Sequence, residues 1–295
     1  MRAGRWLLTG AVVVGLMACS ALQVAYRQAP NLSYWWINGQ VGLSDAQSPL
    51  VRQDVDAFFA WHRQQGLPEL TSQLRRWQAQ ARNDWSADQV CREVEWLRGR
   101  GLQALDQVLP ALARMSLQLQ PAQLQRLERK QADSNRDFRQ DFVDGNTQAR
   151  TDKRVERTSK RLKQFYGSVS PEQEALLRQW LDRSPWDAQR AFAERQRRQQ
   201  DMRDTIRLVQ ASHGNRPAGD TAAAPMAVQT ALRAVAERAL NPSAPDAKAY
   251  NEAFLRHSCA QLAAVHNSMS PNQRQELART LGRYADELTS IMRPD

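Results

Sequence analysis

Apolar residues recur along this chain at helical spacing, and runs in which apolar and polar residues alternate are almost absent. One stripe runs through Val51, Val55 and Phe58, and another includes Leu277 and Leu281. A period of about 3.6 residues places such side chains on one face of a helix. Because each face is apolar on one side only, the helices must pack on one another. The pattern predicts an all-α fold, an elongated multi-helix bundle.

A repeated motif precedes five of the predicted helices. Ser-x-x-Gln starts at Ser44, Ser86, Ser170 and Ser270, and Gln120 begins a weaker Gln-x-x-Gln version. In such a capping box the cap side chain accepts a hydrogen bond from the third helical amide, and the Gln side chain reaches back to the cap amide. Three of the five motifs place Pro at the first helical position, where its missing N–H costs nothing. The motifs therefore mark helix starts.

Stripes, caps and chain breakers together predict ten helices. They span residues 49–65, 68–82, 87–109, 121–143, 147–166, 171–182, 187–210, 226–240, 246–267 and 271–291. Residues 211–225 are rich in Gly, Pro and Ala, which indicates a loop. All of these segments belong to one predicted all-α domain over residues 34–295.

The N-terminal segment has the composition of a targeting signal. Arg2 and Arg5 precede an apolar run from Trp6 to Met17. That run is shorter than the ~20 residues that cross a bilayer, and it is typical of a secretory signal peptide. The sequence from Leu16 to Cys19 resembles the lipobox of bacterial lipoproteins. The resemblance implies cleavage before Cys19 and acylation of this residue, palmitate included.

This resemblance sets the expected location. We expect residues 1–18 to be a lipoprotein signal peptide and residues 19–33 to be a lipidated tether. Several acyl chains satisfy the two-signal requirement for stable membrane anchoring. Ser20 follows the cysteine, where enteric-type sorting uses Asp for retention. The expected location is therefore the outer membrane of a Gram-negative bacterium, with a periplasm-facing lipid anchor.

Two further cysteines remain once Cys19 is acylated. Because the periplasm is oxidising, we predict a disulfide between Cys91 and Cys259. The alternative is a pair of buried free thiols that pack as small apolar side chains.

Tyr34, Trp35 and Trp36 form an aromatic cluster near the predicted anchor. One interpretation places these rings at the headgroup level of a membrane, where Trp and Tyr are enriched. The other places them in the core beneath the first helices.

A basic segment forms a second candidate surface for a membrane or a partner. Its cations include Arg150, Lys153, Arg154, Arg157, Lys160 and Arg161. A narrow apolar stripe accompanies them, made by Thr151, Val155, Thr158, Leu162 and Phe165. Such a surface fits anionic lipid, lipopolysaccharide, or an acidic or unfolded client. A solvated helix face with no partner is the other interpretation.

The net charge of +10 is spread over faces that also carry acids, and no nucleic-acid motif occurs. We therefore expect no nucleic-acid partner. The four histidines show no metal-ligand spacing, and no nucleophile elbow or phosphate loop is present. We expect no metal, no cofactor, no small-molecule substrate and no enzymatic activity.

Four stretches carry a family resemblance. They are NLSYWWINGQV (31–41), SPLVRQDVDAFFAWHRQQGLPEL (48–70), FRQDFVDGN (138–146) and LKQFYGSVSPEQEALL (162–177). Together they resemble an uncharacterised lipoprotein family of Gram-negative bacteria, known only as a domain of unknown function. The resemblance extends from about Ala29 to Ile291. It implies a helical lipoprotein and no assigned reaction.

Two hypotheses for function follow. The first is a structural or adaptor lipoprotein at the outer membrane that presents a helical surface to an envelope protein. The second is an ATP-independent periplasmic chaperone with a basic, partly apolar helical surface. LSDAQ (43–47) resembles the Leu-Thr-x-x-Gln motif of small helical envelope-stress chaperones. The same five residues also contain a capping box, so the motif does not separate the two hypotheses.

Overall fold

The computed structural model describes residues 21–293, and no strand occurs among them. The predicted all-α class is confirmed: the chain folds as a helical bundle. Its helices are α1 (Ala21–Val41), α2 (Ser48–Trp61), α3 (Leu67–Gln80), α4 (Ala87–Gln118), α5 (Pro121–Phe138), α6 (Thr147–Tyr166), α7 (Pro171–Asp182), α8 (Ala188–His213), α9 (Met226–Leu240), α10 (Pro245–Asn267) and α11 (Pro271–Met292).

Helix α1 replaces most of the expected tether. The chain is helical from Ala21, so the prediction of a tether over residues 19–33 is wrong from that residue onward. Leu22 and Tyr26 pack against the main core, and the Tyr26 hydroxyl lies 3.0 Å from Nδ1 of His62. Burying this face stabilises a helix where a solvated linker was expected. The predicted signal peptide and Cys19 lie outside the described residues.

Helices α2 and α3 form one continuous rod through a π-helical turn, His62–Gly66. The sequence predicts a break before Pro68, because proline has no N–H and its ring clashes with the preceding turn. In the observed turn the Leu67 amide donates to the His62 carbonyl, five residues back. This wider turn lets the helix pass Pro68 without ending. A second π-helical turn, Arg139–Val143, follows α5.

Helix α4 is longer than predicted. It has 32 residues and continues through Pro110, where the expected helix stopped at residue 109. At 1.5 Å per residue it is about 48 Å long. Ala113 and Leu117, beyond the proline, are fully buried against α8 and α9. We infer that this burial outweighs the cost of an interior proline, about 3 kcal/mol.

The apolar core of the described residues is divided into clusters. The largest cluster draws on α3, α6, α7, α10 and α11, with Leu177 and Ala285 fully buried in it. The second, at the far end of α4, contains Leu117 and Val228. A third lies between α1 and α2, and a fourth surrounds Cys259. Helix α4 therefore connects regions of the bundle that have separate apolar clusters.

Candidate functional site

Two of the capping boxes meet and bind each other. Gln47 ends the box ahead of α2, and Gln123 lies in the box that starts α5. Nε2 of Gln47 donates to Oε1 of Gln123 at 3.3 Å, and Nε2 of Gln123 donates back to Oε1 of Gln47 at 2.8 Å. Each amide also donates to a carbonyl just before the other motif: Gln47 to Gln118 O at 3.2 Å and Gln123 to Gly42 O at 2.8 Å.

The boxes that start α7 and α11 repeat this arrangement. Gln173 and Gln273 exchange side-chain hydrogen bonds of 2.9 Å in both directions. Nε2 of Gln173 also donates to Ser268 O at 3.0 Å, and Nε2 of Gln273 donates to Ser168 O at 2.9 Å. The donors and acceptors correspond one for one with those of the first pair. We call these two arrangements the glutamine junctions.

The glutamine junctions are buried and satisfied within the chain. All four Gln side chains are buried, and each Oε1 also accepts from the backbone amide of its own cap residue. LSDAQ (43–47) supplies half of one junction, so its glutamine has no free group with which to hold a client. The sequence revealed each cap but not the pairing, because the paired glutamines are 76 and 100 residues apart.

A buried histidine lies beside the second junction. His266 is wholly buried and stacks on Trp85, with ring centroids 3.8 Å apart. Its Nε2 lies 2.8 Å from the Asn83 carbonyl, and its Nδ1 lies 2.9 Å from the Tyr166 hydroxyl. Since a carbonyl only accepts, Nε2 carries the proton and Nδ1 accepts from Tyr166. Burial lowers the pKa of His266 and raises the pKa of Tyr166. The ring is therefore a neutral structural group.

The structure brings the predicted cysteine pair together. The sulfur atoms of Cys91 and Cys259 are 2.09 Å apart, with a Cα–Cα distance of 5.4 Å. The disulfide joins α4 to α10, and Cys259 is buried beside Val90 and Ala263. The predicted disulfide is therefore confirmed, and the alternative of two buried free thiols is wrong.

The aromatic cluster near the N-terminus is divided between core and surface. Tyr34 is buried, its hydroxyl donates to Oγ of Ser48 at 3.2 Å, and the Arg52 guanidinium lies 3.5 Å from the ring centroid. Trp35 and Trp36 point outward, with 61% and 67% of their surface exposed. Each sequence interpretation thus describes part of the cluster.

Further apolar side chains extend this exposed surface along α1. Val24 and Leu32 are exposed on the same side of the helix as Trp35 and Trp36. We call these four residues the α1 ridge. Large apolar side chains exposed on one side of a helix favour contact with another apolar surface.

The apolar stripe of the basic segment packs inward. Thr151, Val155 and Leu162 are buried, and Val155 and Leu162 belong to the main core. The interpretation of these three residues as a membrane-facing surface is therefore wrong, because α7 and α11 cover that side of α6. Phe165, the last residue of the stripe, stays partly exposed.

Three of the six cations in the predicted basic cluster make contacts within the chain. Arg150 donates to Val143 O at 3.0 Å, which helps to close the turn before α6. Arg154 lies over the Trp186 ring, and Arg157 pairs with Asp141. The remaining three cations are exposed, and none forms an ion pair within residues 21–293. They are Lys153, Lys160 and Arg161, which we call the α6 cations.

Across residues 21–293, every helix is too short or too polar to cross a membrane. In the same range no cluster of three or more His, Cys, Asp or Glu side chains is arranged to hold a metal ion.

The sequence model of a family of unknown function (DUF6279) matches residues 40–218, more than half of the chain. The chain belongs to this family. No curated protein and no solved structure matches it. The matched range contains both glutamines of the first junction and Gln173 of the second, while Gln273 and Cys259 lie beyond it. The family has no assigned activity, so function has to be argued from the surfaces of the bundle.

Proposed function

We propose that this protein is a non-enzymatic, lipid-anchored protein of the Gram-negative envelope. It holds a helical bundle against the periplasmic side of the outer membrane and presents it to an envelope protein. The α1 ridge carries the proposal, because Val24 follows the predicted acylated Cys19 by only five residues. The lipobox-like sequence before Cys19 supports the anchor.

The ridge is suited to a membrane interface. Trp35 and Trp36 are large amphipathic rings of the type that accumulates at the headgroup level. Helix α1 has 21 residues and is about 31 Å long, so it can lie along the membrane surface. Because α1 packs on α2, α5 and α11, a membrane contact along it orients the whole bundle. A flexible tether would leave the bundle free to rotate.

The α6 cations are the proposed contact for the partner. Lys153 and Lys160 are exposed and have no carboxylate partner within the described residues. An acidic protein surface complements such a group, and the charges increase the association rate and the selectivity for that partner.

Photocrosslinking in cells tests both contacts on the full chain. A photoreactive amino acid at Trp36 is expected to give phospholipid adducts in the outer-membrane fraction, and one at Lys153 a discrete protein adduct. Leu208, an exposed apolar residue on α8, is the matched control and is expected to give neither. Phospholipid adducts that form equally from Trp36 and Leu208 would contradict the membrane contact.

The anchor has its own test. Cys19→Ala is expected to abolish incorporation of labelled palmitate, while the Cys91→Ala/Cys259→Ala chain keeps the label. A Cys19→Ala chain that still takes up palmitate would exclude this lipidation site.

The chaperone hypothesis loses its motif support, because the LSDAQ glutamine is committed to a glutamine junction. We expect no suppression of client aggregation at stoichiometric amounts of the protein. Suppression that is lost on Lys153→Glu/Lys160→Glu would favour the chaperone over the adaptor.

A further inference from the structure

An apolar cavity of about 510 Å³ lies between α3, α4, α6, α10 and α11, beside the main core. Its buried lining includes Val90, Leu162 and Leu277, and Trp77 and Trp85 contribute aromatic surface. Cavities of ~300–1,000 Å³ with mostly apolar walls are typical of small-molecule sites in proteins.

The outer part of the cavity combines apolar and cationic groups. Leu97, Phe165 and Leu262 line it and remain partly exposed. Arg92 and Arg161 line it as well, are exposed, and form no ion pair within residues 21–293. The lining therefore offers an apolar interior together with positive charge on the solvent side.

The carboxylate in the lining is already engaged. Glu93 accepts a hydrogen bond of 2.6 Å from Nε2 of Gln73 on α3. With one acidic and two basic side chains, the lining has a net positive charge, which complements an anion.

We propose that this cavity binds a single-chain anionic amphiphile. The acyl chain lies among the leucines, valines and tryptophans, and the head group lies at Arg92 and Arg161. This binding site uses other helices than the α1 ridge, and it shares Arg161 and helix α6 with the proposed partner contact.

A covalent link between two walls supports a ligand site. The disulfide joins α4 to α10 beside the cavity, next to Val90 and one helical turn from Leu262. It holds two walls in place before any ligand enters, which lowers the cost of binding.

The test uses the full chain in phospholipid nanodiscs and a palmitic acid analogue with a diazirine at the chain end. After illumination, mass spectrometry locates the labelled peptides. Because the chain end lies in the apolar interior, label is expected on the segments of α4, α6 and α11 that contain Val90, Leu162 and Leu277. Label confined to Cys19, Ser20 and α1 would overturn the proposal, because it would report the surrounding lipid alone.

Competition distinguishes the sources of such an amphiphile. Palmitic acid and lysophosphatidylglycerol each carry one acyl chain and a negative charge, and the stronger competitor identifies the class of head group. Hexadecanol, which has the chain without the charge, is expected to compete poorly. If hexadecanol competes as well as palmitic acid, the role of the two arginines is refuted.

Three variants separate the cavity from general surface effects. Arg161→Glu reverses a charge beside the cavity, and Leu262→Trp fills part of its volume. Each is expected to reduce label in the cavity by about fivefold or more. Lys130→Glu, at an exposed position of α5 outside the lining, is expected to leave the label unchanged. Arg161→Glu is at an exposed position, so thermal melting should match the parent. Cavity label that survives both variants would refute the site.

Discussion

Four buried glutamines hold together helix starts that are distant in sequence. In each junction, every amide caps its own helix, bonds to its counterpart and binds a carbonyl of the neighbouring loop. A capping box on an exposed helix makes only the first of these contacts, and Ser86 with Gln89 is such a box here. The chain therefore contains an internal comparison between a cap alone and a cap that also joins two helices.

Gln173→Ala is expected to destabilise the fold by about 2–4 kcal/mol, because Gln273 and the Ser268 carbonyl both lose a buried partner. The matched change Gln89→Ala removes a cap from an exposed box and is expected to cost about 1 kcal/mol. Urea unfolding of both variants measures the difference. Equal losses would mean that the buried pairing adds no stability beyond the cap.

The buried histidines predict a pH dependence of stability. Burial lowers the pKa of His266 and of His62 from 6.5, so the unfolded chain binds protons that the folded chain does not. The stabilisation is complete above pH 6.5 and is lost progressively as the pH falls toward the folded-state pKa values. Urea midpoints at pH 7.5 and 5.5 are therefore expected to differ, with the lower midpoint at pH 5.5.

Two variants test whether His266 causes this fall in stability at low pH. His266→Phe keeps a ring against Trp85 but cannot take up a proton, so the fall in stability between pH 7.5 and 5.5 should become smaller. His213→Gln changes an exposed histidine at the end of α8 and should leave the fall unchanged. An unchanged fall in His266→Phe would exclude His266 as a source.

At the scale of elements, the disulfide joins the middle of the chain to its last third. It connects α4 to α10 across a sequence separation of 168 residues, so it constrains a long loop of the unfolded chain. Helices α4 and α10 also pack on each other around Cys259, so the disulfide reinforces an existing contact between the two helices.

Reduction of this disulfide is expected to lower the free energy of unfolding by about 2–5 kcal/mol. Thiol counting on unfolded, unreduced protein should find neither Cys91 nor Cys259 titratable. The Cys91→Ser/Cys259→Ser chain is the control, and its stability should not respond to reductant. Detection of two free thiols in the unreduced parent would refute the bridge.

At the scale of the whole molecule, helices that are far apart in the sequence pack together to form the bundle. Helix α11 packs on α1, α3 and α6, so the last helix completes a core begun by the first third of the chain. The described helices contain the main core, the junctions and the disulfide, all after residue 20.

A chain that begins at Ala21 is therefore expected to fold, to remain in solution and to give a helical circular dichroism spectrum with one cooperative melt. The mature acylated chain, which begins at Cys19 in our proposal, is the reference for the melting temperature in nanodiscs. A β-type spectrum, or a melt without cooperativity, would show that the residues before Ala21 are required for the bundle.

The family match and the surfaces contribute differently to function. The match assigns the chain to a family of unknown function and gives no reaction. The cavity is visible only in the fold, since its residues come from five helices that are far apart in the sequence. The sequence indicated Trp35 and Trp36 of the α1 ridge, and the fold added Val24 and Leu32.

The sequence by itself determined the class of fold and many helix boundaries. Pro171–Asp182 and Met226–Leu240 begin and end where caps and breakers predict. These signals work locally, because a cap or a proline acts on its own turn of backbone. The cysteine pair also followed from the sequence, through elimination and the expected compartment.

Tertiary structure decided everything that depends on which side of a helix is covered. It extended α4 through Pro110, converted residues 21–33 from a tether into α1, and turned the apolar stripe of α6 into the core. It also paired the glutamines and enclosed the cavity. Each outcome depends on burial between segments far apart in the chain, and the free energy of that burial outweighs local propensity.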